Sequence, residues 1–320
     1  MQALKKQIAG LHHVTAIASD PQRNLGFYTG LLGLRFVKRT VNFDDPETYH
    51  FYFGDRRGRP GTILTFFCWP DARRGIRGTG QIEATAFAIS PDSLGYWTDR
   101  LKREHVPAEK TRSRFGEEVV RFSDPDGLLL EFVASNSSAP VEPWSGSPVP
   151  PEHALRGFHN VSAALEGYEN SARLLTEMFG YRLVEASGNR FRFVSRDENA
   201  PGRIIDLVCL PDAQPGRVAA GSVHHIAFRA RDEQEQLAWR KELLDLGYNV
   251  TPVIDRTYFR SIYFREPGGV LFEIATAQPG FTVDENLEEL GAHLCLPPWL
   301  ESERSRIEKI LPPVHPPRKQ

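Results

Sequence analysis

Four times along the chain, the sequence pattern predicts the same order of elements: a strand, a helix and three strands. The first 70 residues show this order most clearly. A strand over 11–17 is followed by apolar residues at helical spacing from about Asn24, and Gly33 ends that helix. Turn residues then separate three further strands, over 34–41, 49–53 and 62–69. The recurrence of this order indicates an internal repeat of four βαβββ modules.

The repeat divides the chain into two halves, which we place at 1–140 and 152–320. The segment between the last strand of the first half and the start of the second is rich in proline and serine, which is typical of a semi-rigid linker. The predicted bounds are 1–70 and 78–136 for modules 1 and 2, 153–212 and 220–280 for modules 3 and 4, and 281–320 for a C-terminal tail.

The composition is that of an ordinary globular protein and argues against several classes. The 320 residues are 40% hydrophobic and 25% charged, and their formal net charge of −2 gives no electrostatic reason to expect nucleic acid or a membrane surface as a partner. The 3 cysteines are far apart, which indicates free thiols in a reducing compartment. No apolar stretch suits a signal peptide or a membrane span, so we expect a cytoplasmic protein.

A histidine pair occurs twice, each time in the first strand of a module. The pairs are His12-His13 in module 1 and His224-His225 in module 4, and Glu273 stands in the last strand of module 4. Because side chains alternate along a strand, only one histidine of each pair can face a common centre. Aligning the two pairs superposes the second histidines. Two imidazoles and one carboxylate are the ligands of an open Fe(II) site.

The histidine pairs favour an assembly in which module 1 packs beside module 4, leaving modules 2 and 3 together. Module 2 supports this pairing, because 83–85 read Glu-Ala-Thr where the histidine would stand. The alternative pairs module 3 with module 4 and uses His159, together with His225 and Glu273. Glu131 of module 2 matches the position of Glu273, and we interpret it as a salt-bridged carboxylate because its own module lacks the histidine.

Together with this repeat, four segments make the chain resemble the vicinal oxygen chelate superfamily, in which βαβββ modules pair into cupped sheets around a metal. The superfamily includes glyoxalase I, bleomycin-binding proteins and extradiol ring-cleaving dioxygenases. The closer resemblance is to bacterial ring-cleaving dioxygenases of the hydroquinone type. It implies an α+β fold with two cupped barrels of mixed β-sheet and flanking helices. The segments that carry it are 10–17, 27–43, 223–228 and 296–301.

The resemblance also implies an activity and a cofactor. It implies a non-haem Fe(II), extradiol-type dioxygenase that inserts O2 into a hydroquinone-type or catechol-type aromatic, with Mn(II) as the alternative metal. The ligands implied are His13, His225 and Glu273, which leave about three positions open for the substrate and O2. The expected partners are a small aromatic molecule and O2, and exposed module edges favour a homodimer.

Five further residues are predicted to serve the chemistry. His224 resembles the family's histidine beside the metal, where it would act as an acid or base near neutral pH. Arg256 would stabilise a phenolate, and Tyr263 would donate a proton. Thr15 lies two residues after the module 1 ligand on the same strand face, and His12 would orient the site through a hydrogen bond.

Two other functions remain as alternatives. A glyoxalase-like isomerase or transferase usually has a second glutamate among its metal ligands, whereas the matching position in module 1 is Thr65. A metal-free protein that binds a drug or aromatic for resistance would be expected to have lost the ligand histidines, and here they are doubled. Both observations favour an oxygen-activating site.

Overall fold

The computed structural model describes residues 7–113, 115–136, 142–197 and 200–315, and within them the expected α+β fold of four βαβββ modules is confirmed. Parts of the predicted linker and of the C-terminal tail lie outside the described residues. In the described part of the chain, no helix is long and apolar enough to cross a membrane.

Module 1 shows how local sequence sets the elements. Asp20 caps the first helix by accepting a hydrogen bond from the backbone N–H of Arg23, and Pro21 occupies the first helical position. The helix therefore begins before the predicted Asn24. Strand β3 also begins earlier than predicted, directly after a short turn. The elements are β1 (Leu11–Ala18), α1 (Pro21–Gly26) continuing into a π-helical turn (Phe27–Leu31), β2 (Arg35–Asn42), β3 (Asp45–Gly54) and β4 (Ile63–Cys68).

Modules 2, 3 and 4 repeat this order. In module 2 they are β5 (Gln81–Ile89), α2 (Leu94–Arg103), β6 (Ala108–Arg112), β7 (Glu118–Ser123) and β8 (Leu129–Ala134). In module 3 they are β9 (Phe158–Leu165), α3 (Glu169–Arg173), β10 (Arg182–Ser187), β11 (Arg190–Val194) and β12 (Ile204–Cys209). In module 4 they are β13 (Val223–Ala230), α4 (Glu233–Asp245), β14 (Ile254–Asp255), β15 (Arg260–Arg265) and β16 (Leu271–Thr276), and the tail ends in α5 (Arg304–Ile310).

The strands form two eight-stranded mixed sheets. The first sheet has the order β14-β15-β16-β13-β1-β4-β3-β2 and combines modules 1 and 4. The second sheet has the order β10-β11-β12-β9-β5-β8-β7-β6 and combines modules 2 and 3. In each sheet the two modules meet through an antiparallel pair of their first strands, β1 with β13 and β5 with β9.

Both of these central pairs contain β-bulges at equivalent places. The β1–β13 register skips His12 on one strand and His224 on the other. The β5–β9 register skips Glu83 and His159 in the same way. A bulge bends its strand and redirects the side chains around it, and bulges are common beside active sites. The bulges therefore modify the simple alternation on which the sequence interpretation rested.

The C-terminal tail packs against module 1. Buried Lys38 on β2 forms ion pairs with Asp284 and Glu285 of the tail, at 2.5 and 2.6 Å. The ring of Trp299 packs edge-on against Phe43, with 5.6 Å between centroids. Phe43 stands in the turn between β2 and β3, so the tail supports that turn from outside.

Candidate metal centre and aromatic cavity

Three side chains from neighbouring strands of the first sheet converge on one point. His13 lies on β1, His225 on β13 and Glu273 on β16, and all three are buried. The Nε2 atoms of the two histidines are 3.3 Å apart. Oε2 of Glu273 lies 3.3 Å from Nε2 of His13 and 3.0 Å from Nε2 of His225. The three atoms thus form a nearly equilateral triangle.

The first histidine of each pair contacts the second through a ring nitrogen. Nδ1 of His12 lies 2.9 Å from Nδ1 of His13, and Nδ1 of His224 lies 2.8 Å from Nδ1 of His225. A hydrogen on Nδ1 of His13 and of His225 satisfies both contacts and leaves each Nε2 with a free lone pair. Outer hydrogen bonds of this kind hold the imidazole ligands of metal sites in place. Each bulged histidine therefore contacts the ring nitrogen of its neighbour that faces away from the triangle.

Glu273 is hydrogen-bonded at one oxygen and open at the other. Ser261 Oγ donates a hydrogen bond to Oε1. Oε2 is buried and has no hydrogen-bond partner among the described residues. A buried carboxylate with an unsatisfied oxygen is costly unless a cation balances it.

These observations fit a bound divalent metal ion. Nitrogen and oxygen ligands lie about 2.1 Å from such a metal, so two ligands at a right angle are about 3 Å apart. The triangle has sides of that length. Among the described residues, this group contains the two histidines and one carboxylate only. Such a donor set leaves coordination positions for other molecules and suits non-haem Fe(II).

A cavity of about 400 Å³ opens beside this triangle, and we refer to it as the aromatic cavity. Cavities of this size accommodate small organic molecules. His13 and His225 form part of its lining, so a metal ion held there would face the cavity. Its apolar walls are formed by Phe43, Phe67, Trp69, Ile254, Phe259 and Leu271.

Arg256 and Tyr263, both predicted site residues, also line the aromatic cavity. Nε of Arg256 donates a hydrogen bond to Oη of Tyr263 at 3.2 Å. The Tyr263 ring lies edge-on to His225, with 5.6 Å between centroids. Burial and the nearby charge of Glu273 raise the pKa of Tyr263, so the phenol keeps its proton at neutral pH.

The remaining predicted site residues of the first sheet differ in their placement. His224 lines the aromatic cavity, whereas His12 and Thr15 do not. Burial lowers the pKa of His224 below its usual range, and the role of this side chain as an acid or base stays a prediction. Thr15 Oγ1 instead accepts a hydrogen bond from Thr65.

His159, the alternative ligand, lies in the second sheet. Its Nε2 is 3.2 Å from Oε1 of Glu117, and its Nδ1 is 2.7 Å from Oδ1 of Asn160. It is therefore not part of the group formed by the first-sheet residues. Glu131 also lies in the second sheet and is paired with Arg121 at 2.7 Å.

Sequence reasoning missed His50 and Tyr52 on β3, which both line the aromatic cavity. Tyr52 Oη lies 3.0 Å from Nδ1 of His50, whose Nε2 is 2.9 Å from Oγ1 of Thr65. The hydroxyl hydrogen of Thr65 is directed at Thr15, so Thr65 must accept its second hydrogen bond from Nε2 of His50. Nδ1 of His50 then carries no hydrogen and accepts a hydrogen bond from Tyr52. Tyr52 on β3 stands opposite Thr65 on β4, just as Tyr263 on β15 stands opposite Glu273 on β16. An alignment of modules 1 and 4 therefore places Tyr52 at the position of the predicted site residue Tyr263.

Comparison with known proteins places the chain among dioxygenase-related families. Residues 10–132 and 157–274 match the profile of the family described as "Glyoxalase/Bleomycin resistance protein/Dioxygenase superfamily". The chain is 45% identical to "Putative ring-cleaving dioxygenase MhqO" of Bacillus subtilis (strain 168), over 97% of this chain and 98% of that protein. It is 35% identical to "Chlorohydroquinone/hydroquinone 1,2-dioxygenase" of Sphingobium indicum, over 97% and 98% of the two chains.

Solved structures give the same result for the fold. The crystal structure of a protein described as "putative dioxygenase" from Bacillus subtilis superposes with a TM-score of 0.94 and 44% identity, over 98% of this chain and 99% of that one. Glyoxalase I from Zea mays superposes with a TM-score of 0.64 at 14% identity, over 89% and 97% of the two chains, which shows a shared fold alone.

Proposed function

We propose, because the chain belongs to the Glyoxalase/Bleomycin resistance protein/Dioxygenase superfamily, that it is a non-haem Fe(II)-dependent dioxygenase that cleaves a hydroquinone-type aromatic ring. The two hydroxyl groups of a hydroquinone are para to each other. The extradiol term describes cleavage next to a pair of vicinal hydroxyls, so the proposal does not include it.

One observation carries this proposal: two histidine nitrogens and a carboxylate oxygen, all buried, lie 3.0–3.3 Å apart at the wall of an aromatic cavity. In the proposal His13, His225 and Glu273 hold the metal ion. Fe(II) bound there would supply neighbouring positions for a hydroxylated ring and O2 and would carry electrons between them.

The chain's own residues orient and enclose the ring. Phe67 and Phe259 flank the histidines, with centroids 6.4 Å from His225 and 5.1 Å from His13, respectively. Flat apolar walls favour a flat ring and exclude water from it. His12 and His224 keep the Nε2 lone pairs of their neighbours directed at the centre of the triangle.

Tyr263 and Arg256 supply a proton and a positive charge. The hydroxyl of Tyr263 receives a hydrogen bond from Arg256 and can donate its own hydrogen to an oxygen atom in the cavity. Arg256 stabilises the negative charge that develops on that oxygen or on Tyr263 itself. His50 and Tyr52 form a separate chain of hydrogen bonds, which holds the phenol of Tyr52 in place at the cavity wall.

The glyoxalase-like alternative is less well supported by the side chains present. Thr65 stands on β4 opposite Thr15, as Glu273 stands on β16 opposite Ala227. Its hydroxyl is already hydrogen-bonded to His50 and Thr15. The position that would provide a fourth protein ligand is therefore occupied by a threonine whose hydroxyl is hydrogen-bonded to other side chains.

The test is O2 consumption after anaerobic loading with Fe(II). We expect O2 uptake with hydroquinone, a ring-opened product that contains both oxygen atoms of O2, and no uptake by the metal-free protein or by His13→Ala. Catechol serves as the comparison substrate. Conversion of a hemithioacetal, with no O2 uptake on either aromatic, would contradict the proposal.

A further inference from the structure

Two side chains in the lining of the aromatic cavity form an ion pair. Among the described residues that line it, Arg256 is the only lysine or arginine and Asp44 the only aspartate or glutamate. Nη1 of Arg256 lies 2.9 Å from Oδ2 of Asp44. The positive charge that faces the cavity is therefore already balanced by a carboxylate of the protein.

The two charges come from turns of different modules. Asp44 lies between β2 and β3, and its backbone N–H donates a hydrogen bond to Oδ1 of Asn42 at 3.1 Å. Arg256 lies between β14 and β15, and its backbone N–H donates to the carbonyl of Phe259 at 2.9 Å. The ion pair thus joins modules 1 and 4 across the cavity.

The turn that carries Arg256 is held in an uncommon conformation. Thr257 has a φ of 66°, in the left-handed region that a β-branched residue rarely adopts. Its backbone N–H donates to Oδ1 of Asp255 at 2.7 Å, which stabilises the turn. Strained backbone of this kind is concentrated at functional sites. The backbone of the turn that carries Arg256 is therefore held by contacts within the turn itself.

The two partners differ in exposure. The side chain of Asp44 is 69% exposed, whereas that of Arg256 is 18% exposed. Asp44 thus stands at the rim, where a substitution disturbs little packing. Arg256 stands further in, beside Tyr263.

We propose that Asp44 determines substrate specificity: by pairing with Arg256 it restricts the cavity to uncharged hydroxylated rings and rejects rings that carry a carboxylate. This inference deepens the proposed function and rests on it. An arginine next to an aromatic site is otherwise well suited to bind a carboxylate in a two-pronged contact. Here an entering carboxylate must displace Asp44 or stand beside a like charge at the rim, and either is unfavourable.

The test compares the binding of two ligands that differ by one carboxylate: hydroquinone and 2,5-dihydroxybenzoate. Both are titrated calorimetrically without O2 into protein loaded with Zn(II), which undergoes no redox reaction. We expect the wild type to prefer hydroquinone. In Asp44→Asn the preference should shift towards the carboxylate by about tenfold or more, which corresponds to about 1.4 kcal/mol.

Two controls separate this effect from a change in overall charge. Glu47→Gln removes one negative charge three residues after Asp44. The side chain of Glu47 is 57% exposed, forms an ion pair with Arg306 and does not line the aromatic cavity. The substitution should leave the preference unchanged. In the double variant Asp44→Asn with Arg256→Gln, the gain in carboxylate binding should disappear, because Arg256 is the group that would bind it.

Equal preferences in the wild type and Asp44→Asn would overturn the inference, and so would an equal shift in Glu47→Gln. The result does not depend on turnover, since the ligands are bound to Zn(II) protein. A lack of O2 uptake by Fe(II) protein would overturn the proposed function alone, whereas an unchanged binding preference with normal uptake would overturn the specificity role alone.

Discussion

The two sheets share one topology, and each has a pair of bulges at the same place, yet among the described residues only the first contains a candidate metal centre. The second histidines of the first sheet, His13 and His225, each follow a bulged residue. The residues that follow the bulges of the second sheet are Ala84 and Asn160. The bulges therefore belong to the fold, and the chemistry depends on which side chains stand next to them.

The carboxylates show the same contrast. In the second sheet, Glu131 and Asp206 stand at the positions that Thr65 and Glu273 occupy in the first. Both are neutralised by arginines on adjacent strands, as described above for Glu131. Arg192 forms hydrogen bonds to both oxygens of Asp206, at 2.8 and 2.9 Å, and also pairs with Glu117 at 2.7 Å.

The comparison shows how one scaffold holds a carboxylate in two ways. In the first sheet tyrosines stand across from the ligand positions, Tyr52 opposite Thr65 and Tyr263 opposite Glu273. Because a phenol carries no positive charge, Tyr263 does not neutralise Glu273 as an arginine would, and in our proposal a metal ion balances that charge. In the second sheet arginine side chains take that place, so the carboxylates stabilise the fold instead.

We expect the largest effect from substitutions that remove a proposed metal ligand of the first sheet and leave the second sheet unchanged. His13→Ala, His225→Ala and Glu273→Gln should each reduce bound iron from about one equivalent to almost none, because two remaining ligands hold a divalent metal weakly. Metal content is measured by mass spectrometry of the elements after anaerobic loading and desalting.

Asn160→Ala is the matched control, because Asn160 follows the equivalent bulge of the second sheet. It should retain the full equivalent of iron. Loss of iron from this variant, or retention of iron by His13→Ala, would mean that the centre lies elsewhere.

A second variant tests whether the second sheet uses its charges for stability. Arg192→Leu leaves Asp206, which is 1% exposed, with Arg190 at 3.4 Å as its remaining described ion-pair partner. Leaving a buried charge largely unpaired costs about 3–5 kcal/mol. The free energy of unfolding in urea should fall by that amount, while iron binding is preserved.

Arg121→Leu is the comparison here, because Arg121 is 39% exposed and pairs with Glu131 nearer to solvent. Its effect on unfolding should be about 1 kcal/mol or less. An effect of Arg192→Leu as small as this would show that the buried pair contributes little to the fold.

Much of this architecture was predictable from sequence, because the signals are local. Turn residues and apolar spacing show the modules, and the resemblance to the superfamily is confirmed by the family match. From the repeated histidine pairs we predicted that His13, His225 and Glu273 lie together, and the structure places their Nε2 and Oε2 atoms within 3.3 Å of one another. Whether they bind the predicted metal stays a prediction.

The remainder depends on pairing between distant segments. The bulges at His12 and His224 arise from the register of β1 against β13, which no single segment specifies. They bring neighbouring imidazoles into contact, whereas strict alternation separates them. Burial, which sequence does not report for one side chain, lowers the pKa of His224. The partner of Arg256 is Asp44, from a turn at the other end of the chain.

A smaller effect tests the outer histidines. His12→Ala removes the hydrogen-bond partner of Nδ1 of His13 and should weaken metal binding about 10–100-fold, as is usual for such contacts. Affinity is measured by competition with a chelating dye. His159→Ala, at the equivalent bulge of the second sheet, should leave the affinity unchanged. Equal affinities in all three proteins would assign His12 to packing alone.

The smallest effect concerns pH and the second sheet. Burial raises the pKa of Glu117, but His159 and Arg192 outweigh it and lower that pKa from 4.5 to about 2. A carboxyl group whose pKa is lower in the folded state stabilises that state at a pH above its unfolded-state pKa, and this stabilisation is lost as the pH falls towards its folded-state pKa.

Because Glu117 is partly exposed, we expect its charge to stabilise the fold by about 1–2 kcal/mol at pH 7. The unfolding free energy of metal-free wild type should exceed that of Glu117→Gln by this amount at pH 7, and the difference should shrink between pH 5 and pH 3. A difference that stays constant over this range would show that the carboxylate contributes through packing and not through its charge.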